Sequence, residues 1–505
     1  MILSADSGLP FSDDRRNLLA LSLICAALFL APLPFLELAG GDETRVAGIA
    51  AEAAVSGDLL TPKLNGKPFL EYPPLCYVLE AAGCRLFGFT SFAVKLPAAL
   101  AAFAGVLMLY AMMRSLRRAK WESFGAAFML ATGTQYLANA TNCRVDMVLA
   151  AFCILAWWGF VVMEFSGGGA AKRLGGMALF SAGIAGGVLT KNLPGAAIPL
   201  SGAGCALLFA DLAKKRFSFA AYCRVAAAAA CGLAPYALYL RSLAVADGAT
   251  AVETMLIHNN FGRFSGVHRD HSAPWWYYLC HLPEQFHPYL VLLFAGFWLR
   301  CRELFRRRSE RSILLLSLIA VPFAMLSAAS GKRQIYLLPL AAPAALIAAS
   351  ALPWCVRFCR RFRRGAAVLE CCRRRRRLLL GAAVLLAALV SGAVAGYVSH
   401  RDSFAPVFAE AERLRSGIPG GRLVLIRPSE RLAGAAFFYR RAVTPELADW
   451  KMLKRNDVAL SPLRAKNPLP PLPAGFAARR FPKADLVLVA ALPFEAERLS
   501  GARTK

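Results

Sequence analysis

GDETRVAGIAAEAAVSGDLLTPKLNGKPFLEYPP, from Gly41 to Pro74, follows directly on the first stretch of the chain that is apolar enough to cross a membrane. It sets an acidic pair, Asp42 and Glu43, and a Glu-Tyr-Pro-Pro turn at one end of that stretch, which points to chemistry at a membrane surface. Asp42 and Glu43 open a helical pattern that runs to Ser56 and closes at Gly57, a residue suited to a left-handed cap. The segment from Asp58 to Lys67 is mostly polar or turn-forming and carries Lys63 and Lys67. Glu71-Tyr72-Pro73-Pro74 then reads as an extended lead-in to an amphipathic helix from Leu75 to Phe87, with proline in its first turn. On spacing alone, Asp42 reads first as an N-cap, and Glu71 can be read as an answer to the helix dipole.

Outward from this stretch the chain is apolar. Of its 505 residues 57% are hydrophobic and only 18% charged, and the mean hydropathy is positive. A soluble domain cannot cover that much apolar surface, so the composition defines a polytopic membrane protein. A hydrocarbon core of about 30 Å takes roughly 17 to 25 residues per helix. About eleven runs qualify, within two either way: Leu18 to Leu36, Phe92 to Met113, Phe124 to Ala138, Met147 to Met163, Gly175 to Leu189, Gly195 to Ala210, Phe219 to Leu240, Trp275 to Leu299, Ile313 to Ala329, Ile335 to Ala351 and Leu378 to Tyr397.

Basic clusters precede the first run and recur at Arg114 to Lys120, Lys172-Arg173, Lys214 to Arg216, Arg300 to Arg311 and Arg357 to Arg377, each after an even-numbered run. Short cytoplasmic loops carry such an excess, so the N-terminus is expected in the cytoplasm. Loops 37–91, 139–146, 241–274 and 330–334, with the segment 399–505, are then external. The same clusters account for much of the net charge of +28 without nucleic acid; Arg373 to Arg377 reads as a juxtamembrane patch facing anionic lipid. The first run lacks a cleavage pattern and is taken as an anchor. Most of the 14 cysteines lie in apolar runs, where they act as small hydrophobes.

Two domains are expected: residues 1–398 as a helical membrane domain whose active site lies in the first external loop, and residues 399–505 as a small external α/β domain. In the latter, Arg422 to Ile426 and Asp485 to Ala490 read as buried strands, with PLRAKNPLPPLP between them as loop.

Five segments in order, DETRVAGIAAEAAVSGDLLTPKLNGKPFLEYPPLCYVLEA, CRVDMVLAAF, GVLTKNLPGAAIPL, NNFGRFSGVHRDHSAPWWYYL and SGKRQIYLLPL, resemble those of membrane glycosyltransferases that use a polyprenyl-phosphate sugar donor. That group contains bacterial 4-amino-4-deoxy-L-arabinose (lipid A) transferase and the protein O-mannosyltransferases. The resemblance spans roughly residues 15 to 350. It implies a GT-C fold with an external active site in a bacterial inner membrane, an undecaprenyl-phosphate sugar as donor, and lipid A or another envelope glycolipid as acceptor. It also implies Asp42 as general base, with Glu43 beside it and Asp146 orienting Asp42 or binding acceptor. A carboxylate within hydrogen-bond reach of the acceptor oxygen, opposite a departing lipid phosphate, is what a single inverting displacement needs.

In the aminoarabinose transferases the turn reads Glu-Lys-Pro-Pro, its Lys contacting the donor phosphate. Here Tyr72 stands at that position, and a phenol brings no fixed charge, so the cation must come from Lys63, Lys67, Arg263 or Lys332, with Arg85 near the turn. Lys191 and Tyr336 lie in the Leu-Thr-Lys and Gly-Lys-Tyr elements and join the substrate-binding candidates. No cofactor is required by this chemistry, but Glu71 matches a family glutamate that binds zinc with a histidine of the later external loop, where His258, His268 and His271 are all candidates. Three protein ligands would be needed for such a site. A protein acceptor, or a transporter of lipid-linked sugars, would share the spans and basic loops. A transporter should also show internal repeats and broken helices, and the sequence displays neither.

Overall fold

The computed structural model describes residues 13–38, 42–261, 272–362, 403–463 and 472–491, and part of 381–393. The chain divides into two compact units. One comprises Met1–Ala31, Leu70–Cys76 and Ala98–Ser391; the other comprises Pro32–Phe69, Tyr77–Pro97 and Gly392–Lys505.

The larger unit is helical. Its first span begins as α1 (Asp14–Cys25) and continues through a π-helical turn, Ala26–Leu30. Eight helical stretches among the described residues are long and apolar enough to cross a membrane, and the chain is a polytopic membrane protein. After α2 (Asp42–Ser56) and α3 (Leu75–Phe87) come α4 (Ser91–Ser115), α5 (Lys120–Thr132), α6 (Thr134–Ala140), α7 (Val145–Glu164), α8 (Ala170–Lys191), α9 (Pro194–Lys214) and α10 (Phe219–Asp247). Further on lie Tyr277–Phe286, Leu290–Arg307, Glu310–Ala328 and the stretch from Gln334 to Arg360.

Two of the runs expected as single spans are interrupted. Gly133 adopts an extended conformation between α5 and α6, and the later run breaks between Phe286 and Leu290. The breaks satisfy each other: the backbone N–H and hydroxyl of Thr134 both donate to the carbonyl of His287 at 3.0 Å, and the Thr132 and Tyr289 hydroxyls share a 2.7 Å hydrogen bond. Backbone freed from a helix inside an apolar layer needs such partners. A third expectation changes too, since the run from Ile335 opens as a 3-10 helix, Gln334–Leu340, before the α-helix Ala341–Ala349.

Helices α7 and α8 pack backbone to backbone. A Cβ on Gly159 would meet Phe180 N at 2.3 Å, and one on Gly183 would meet Ala156 N at 2.4 Å. Small residues at such crossings let membrane helices approach closely, which brings the last turn of α8 against the first turn of α7.

The smaller unit contains a five-stranded sheet, β3 (Arg422–Ile426), β4 (Glu446–Leu447), β5 (Asp457–Pro462), β6 (Phe476–Phe481) and β7 (Leu486–Ala491), in the order β4-β3-β5-β7-β6. Strand β3 runs parallel to β4 and β5, whereas β7 is antiparallel to β5 and β6. The β3 and β7 strands are apolar and buried along almost their whole length, as both-face burial requires. Helices Ala405–Gly417 and Glu430–Arg440 cover one face through Phe408, Leu414, Leu432 and Ala436. To this unit also belong α2, α3 from Tyr77 onward, and the two-residue hairpin β1 (Lys63–Leu64) and β2 (Lys67–Pro68).

Candidate functional site

In the membrane unit the chemistry gathers where α7 and α8 meet. Asp146, in the first turn of α7, is buried and forms an ion pair with Lys191, the last residue of α8. The partner of Asp146 is thus Lys191 and not the neighbouring Arg144, and the Lys191 ammonium does not reach outward to water. Its Nζ lies over two aromatic rings, 4.6 Å from the centroid of Tyr336 and 5.6 Å from that of Tyr72. Cation–π contact on two sides helps hold a desolvated ammonium. Tyr72 is 7% exposed, and burial pushes its phenol well above the ordinary value, so it remains a neutral donor.

The residue after Lys191 is strained. Asn192 has φ 56° and ψ −146°, a region occupied almost only by glycine that costs on the order of 1–3 kcal/mol. Its side chain is clamped: Nδ2 donates to the carbonyl of Glu71 at 3.2 Å, and Oδ1 accepts from the Tyr236 hydroxyl at 2.9 Å. Asn259 Nδ2 donates to the adjacent Leu70 carbonyl at 2.8 Å. Two asparagines therefore fix the backbone of the Glu-Tyr-Pro-Pro turn against the bundle, and neither stands out in the sequence.

The smaller unit holds the acidic pair. Asp42 is the first residue of α2 and lies 3.5 Å from Arg45, whose guanidinium also reaches Glu430 at 2.7 Å and covers the Phe69 ring. Glu43 points into the interior, where it pairs with Lys95 at 2.5 Å, both side chains almost fully buried. Helix α2 crosses helix Glu430–Arg440 at backbone contact: a Cβ on Gly48 would meet Gly434 Cα at 2.4 Å, and one on Gly434 would meet Thr44 O at 2.4 Å.

The lysines expected near a phosphate are engaged here by protein. Lys63 pairs with Asp58 at 2.9 Å, and Lys67, exposed, with Glu446 at 2.5 Å. Arg85 Nε donates to the Ala54 carbonyl. The β1–β2 turn is pinned by Asn65, which exchanges hydrogen bonds with the backbone of Thr444 at 2.9 and 2.8 Å.

Lys332 occupies a different setting, in the membrane unit. It is 4% exposed, donates to the carbonyls of Ala273 and Ala329, and burial lowers its ammonium below the ordinary value. It lines a cavity of about 330 Å³ together with Gln135, Asn139, Arg144, Tyr277 and Arg333. Arg263, His268 and His271 lie outside the described residues. His258 is exposed in a π-helical segment, Thr254–Phe261, and the described residues hold no cluster of three His, Cys, Asp or Glu fit for a metal.

A helical membrane unit of this kind, with its buried ion pair, joined to a small mixed sheet, is the GT-C architecture. The chain shares its fold with ArnT from Cupriavidus metallidurans bound to undecaprenyl phosphate, at a TM-score of 0.71 and 18% identity over 93% of this chain and 97% of that one. It also matches the apo oligosaccharyltransferase of Archaeoglobus fulgidus, at a TM-score of 0.54 and 14% identity over 86% and 64% of the two chains. Residues 71–239 match the family described as dolichyl-phosphate-mannose-protein mannosyltransferase. Among curated proteins, the undecaprenyl phosphate-alpha-4-amino-4-deoxy-L-arabinose arabinosyl transferase of Pseudomonas aeruginosa is 29% identical over 344 residues, 67% of this chain and 60% of that protein. One from Sodalis glossinidius is 28% identical over 341 residues, 66% and 58% of the two. The resemblance read from the five ordered segments thus holds in sequence and in fold. The chain spans about three fifths of the length of the curated relatives it matches.

Proposed function

We propose that this protein is a membrane glycosyltransferase that moves a sugar from an undecaprenyl-phosphate carrier to an external acceptor, lipid A or another envelope glycolipid. The observation that carries the reading is the shared fold with undecaprenyl phosphate-bound ArnT over 93% of the chain, together with the sequence similarity to arabinosyl transferases. In this reading the enzyme sits in a bacterial inner membrane with a cytoplasmic N-terminus. The loop 37–91 and residues 399–505 face the other side, the latter supporting the site or recognising acceptor. Membrane lipids are its surroundings, and nucleic acid plays no part.

The chemistry follows from one carboxylate. Asp42 accepts the proton of the acceptor hydroxyl as that oxygen attacks the anomeric carbon; the bond from that carbon to the phosphate oxygen breaks, and its electron pair leaves on the lipid phosphate. Arg45, 3.5 Å from Asp42, holds that carboxylate in place. Asp146, Lys191, Tyr72 and Tyr336 form a second polar cluster that contributes to substrate binding through its aromatic faces and the Tyr72 hydroxyl.

Transfer of labelled sugar from undecaprenyl phosphate in proteoliposomes tests this. Asp42→Asn should lower turnover by roughly 10²- to 10⁴-fold, the usual range for a general base; unchanged turnover sinks that assignment. A protein acceptor is the second reading, favoured by the family matched at residues 71–239. Mass spectrometry of envelope lipids from cells with and without the protein separates the two, since a lipid that gains one sugar mass supports the first and unaltered lipids support the second.

A further inference from the structure

Asn192 keeps a backbone that suits another residue. Helix α8 ends on Lys191, and the turn that follows is tight: the Asn192 N–H donates to the Val188 carbonyl and the Asn192 carbonyl accepts from the Gly195 N–H, both at 3.0 Å. The φ of 56° and ψ of −146° fall outside the left-handed helical well, near about φ +57° and ψ +47°, that asparagine tolerates. Glycine takes this conformation at no steric cost, so what asparagine adds here is its side chain. Both ends of that side chain are used. Nδ2 donates to the Glu71 carbonyl at 3.2 Å, Oδ1 accepts from the Tyr236 hydroxyl at 2.9 Å, and the residue is 2% exposed.

The segment so held offers few other handles. Pro73 and Pro74 have no N–H, which leaves mainly carbonyls for the bundle to grip; Asn259 takes that of Leu70 at 2.8 Å, and Asn192 takes the next one. Tyr72 follows Glu71 directly, and its ring lies 5.6 Å from Lys191 Nζ, while Lys191 directly precedes Asn192. One residue thus sets both sides of this contact: its backbone shapes the end of α8 that carries Lys191, and its side chain ties down the turn that carries Tyr72. We propose that Asn192 is a positioning residue for sugar transfer, its strained backbone offset by the two hydrogen bonds that keep Tyr72 over Lys191, with Tyr236 orienting its amide. The proposal rests on the transferase reading, in which Tyr72 and Lys191 contribute to substrate binding. Asn192 touches no reacting atom and acts through Tyr72.

Strain and side chain can be removed separately. Asn192→Gly deletes both, whereas Asn192→Ala deletes the side chain and keeps the strain. The full-length protein in proteoliposomes is given labelled undecaprenyl-phosphate sugar, and each variant is also unfolded by heat. Both substitutions should raise KM by roughly 10- to 100-fold, as misplacement of a binding group does, with kcat held within about threefold. Asn192→Ala should unfold at a clearly lower temperature than Asn192→Gly, so that affinity follows the side chain and stability follows the backbone. Tyr236→Phe, which keeps Asn192 but removes the hydrogen bond to Oδ1, should raise KM by a smaller factor. The double variant Asn192→Gly/Tyr72→Phe should be no worse than Tyr72→Phe, because residues acting through one another are not additive. A wild-type KM in Asn192→Gly overturns the proposal, as do strictly additive losses in the double variant. Hydrogen exchange at the Glu71 and Tyr72 amides needs no substrate and should quicken in both Asn192 variants; unchanged exchange also overturns the proposal. If the wild-type protein transfers no sugar yet the turn loosens in this way, the asparagine clamp stands and the transferase reading falls.

Discussion

At the scale of single residues, charges here are spent in pairs. Asp146 and Lys191 are both buried, and removing one partner of such a pair strands the other, at a cost of about 3–5 kcal/mol. Asp146→Asn or Lys191→Met alone should therefore lower the unfolding temperature in detergent far more than their combination does relative to either; strictly additive losses would show that the two do not act as a pair. Asp58 gives a pH-dependent case. Burial alone would raise its carboxyl, but the hydrogen bond from Lys63 and the backbone N–H groups of Thr61 and Leu60 outweigh that and hold it below the usual range. A carboxyl lowered in the folded state contributes stability that is present above its unfolded pKa and is lost as pH falls through the folded value. Hydrogen-exchange protection of Leu60 and Thr61, corrected for intrinsic rate, should fall in that acid range, and Asp58→Asn should lack the acid limb. An identical profile in the variant would place the protection elsewhere.

At the scale of elements, the crossing of α2 with helix Glu430–Arg440 depends on two glycines. Gly48→Ala must push against the backbone of Gly434, and overpacking of this kind costs about 1–3 kcal/mol. We expect the variant to be cut by protease near α2 at much lower doses than wild type, whereas Gly88→Ala, with open space around it but φ +77°, should cost about 1–2 kcal/mol through backbone strain alone. Equal protease resistance of Gly48→Ala and wild type would show that the crossing tolerates a methyl. Much of this element layer was legible beforehand. Helix Leu75–Phe87, the cap at Gly57 with φ +76°, and strand Arg422–Ile426 follow the local pattern, because capping glycine, N-terminal proline and an unbroken apolar run are local signals. What was not legible is non-local. The breaks at Gly133 and after Phe286 are stabilised by one another across more than a hundred residues, and strands β5 and β6 carry too little alternation to declare themselves. The site divides the same way: Asp42 and Lys191 stood out by type and position, but the burial of Glu43 against Lys95 and the meeting of Arg144 with Arg333 are products of the fold.

At the scale of the molecule, α2 and the C-terminal sheet belong to one compact unit. Deleting residues 403–505 should therefore leave a protein that still inserts into membranes yet transfers no sugar, because α2, which bears Asp42, loses the helix packed against it; retained turnover in the deletion variant would show that α2 holds its place unaided. That unit is assembled from three stretches, Pro32–Phe69, Tyr77–Pro97 and Gly392–Lys505, so its first part emerges from the ribosome hundreds of residues before its last. The face of α2 at Gly48 has no mate until residues 430–440 have been made. Biogenesis thus carries an inherent order: the acidic pair comes first, its supporting surface last, and a chain released early has every span through Gln334–Arg360 without the packing that holds Asp42.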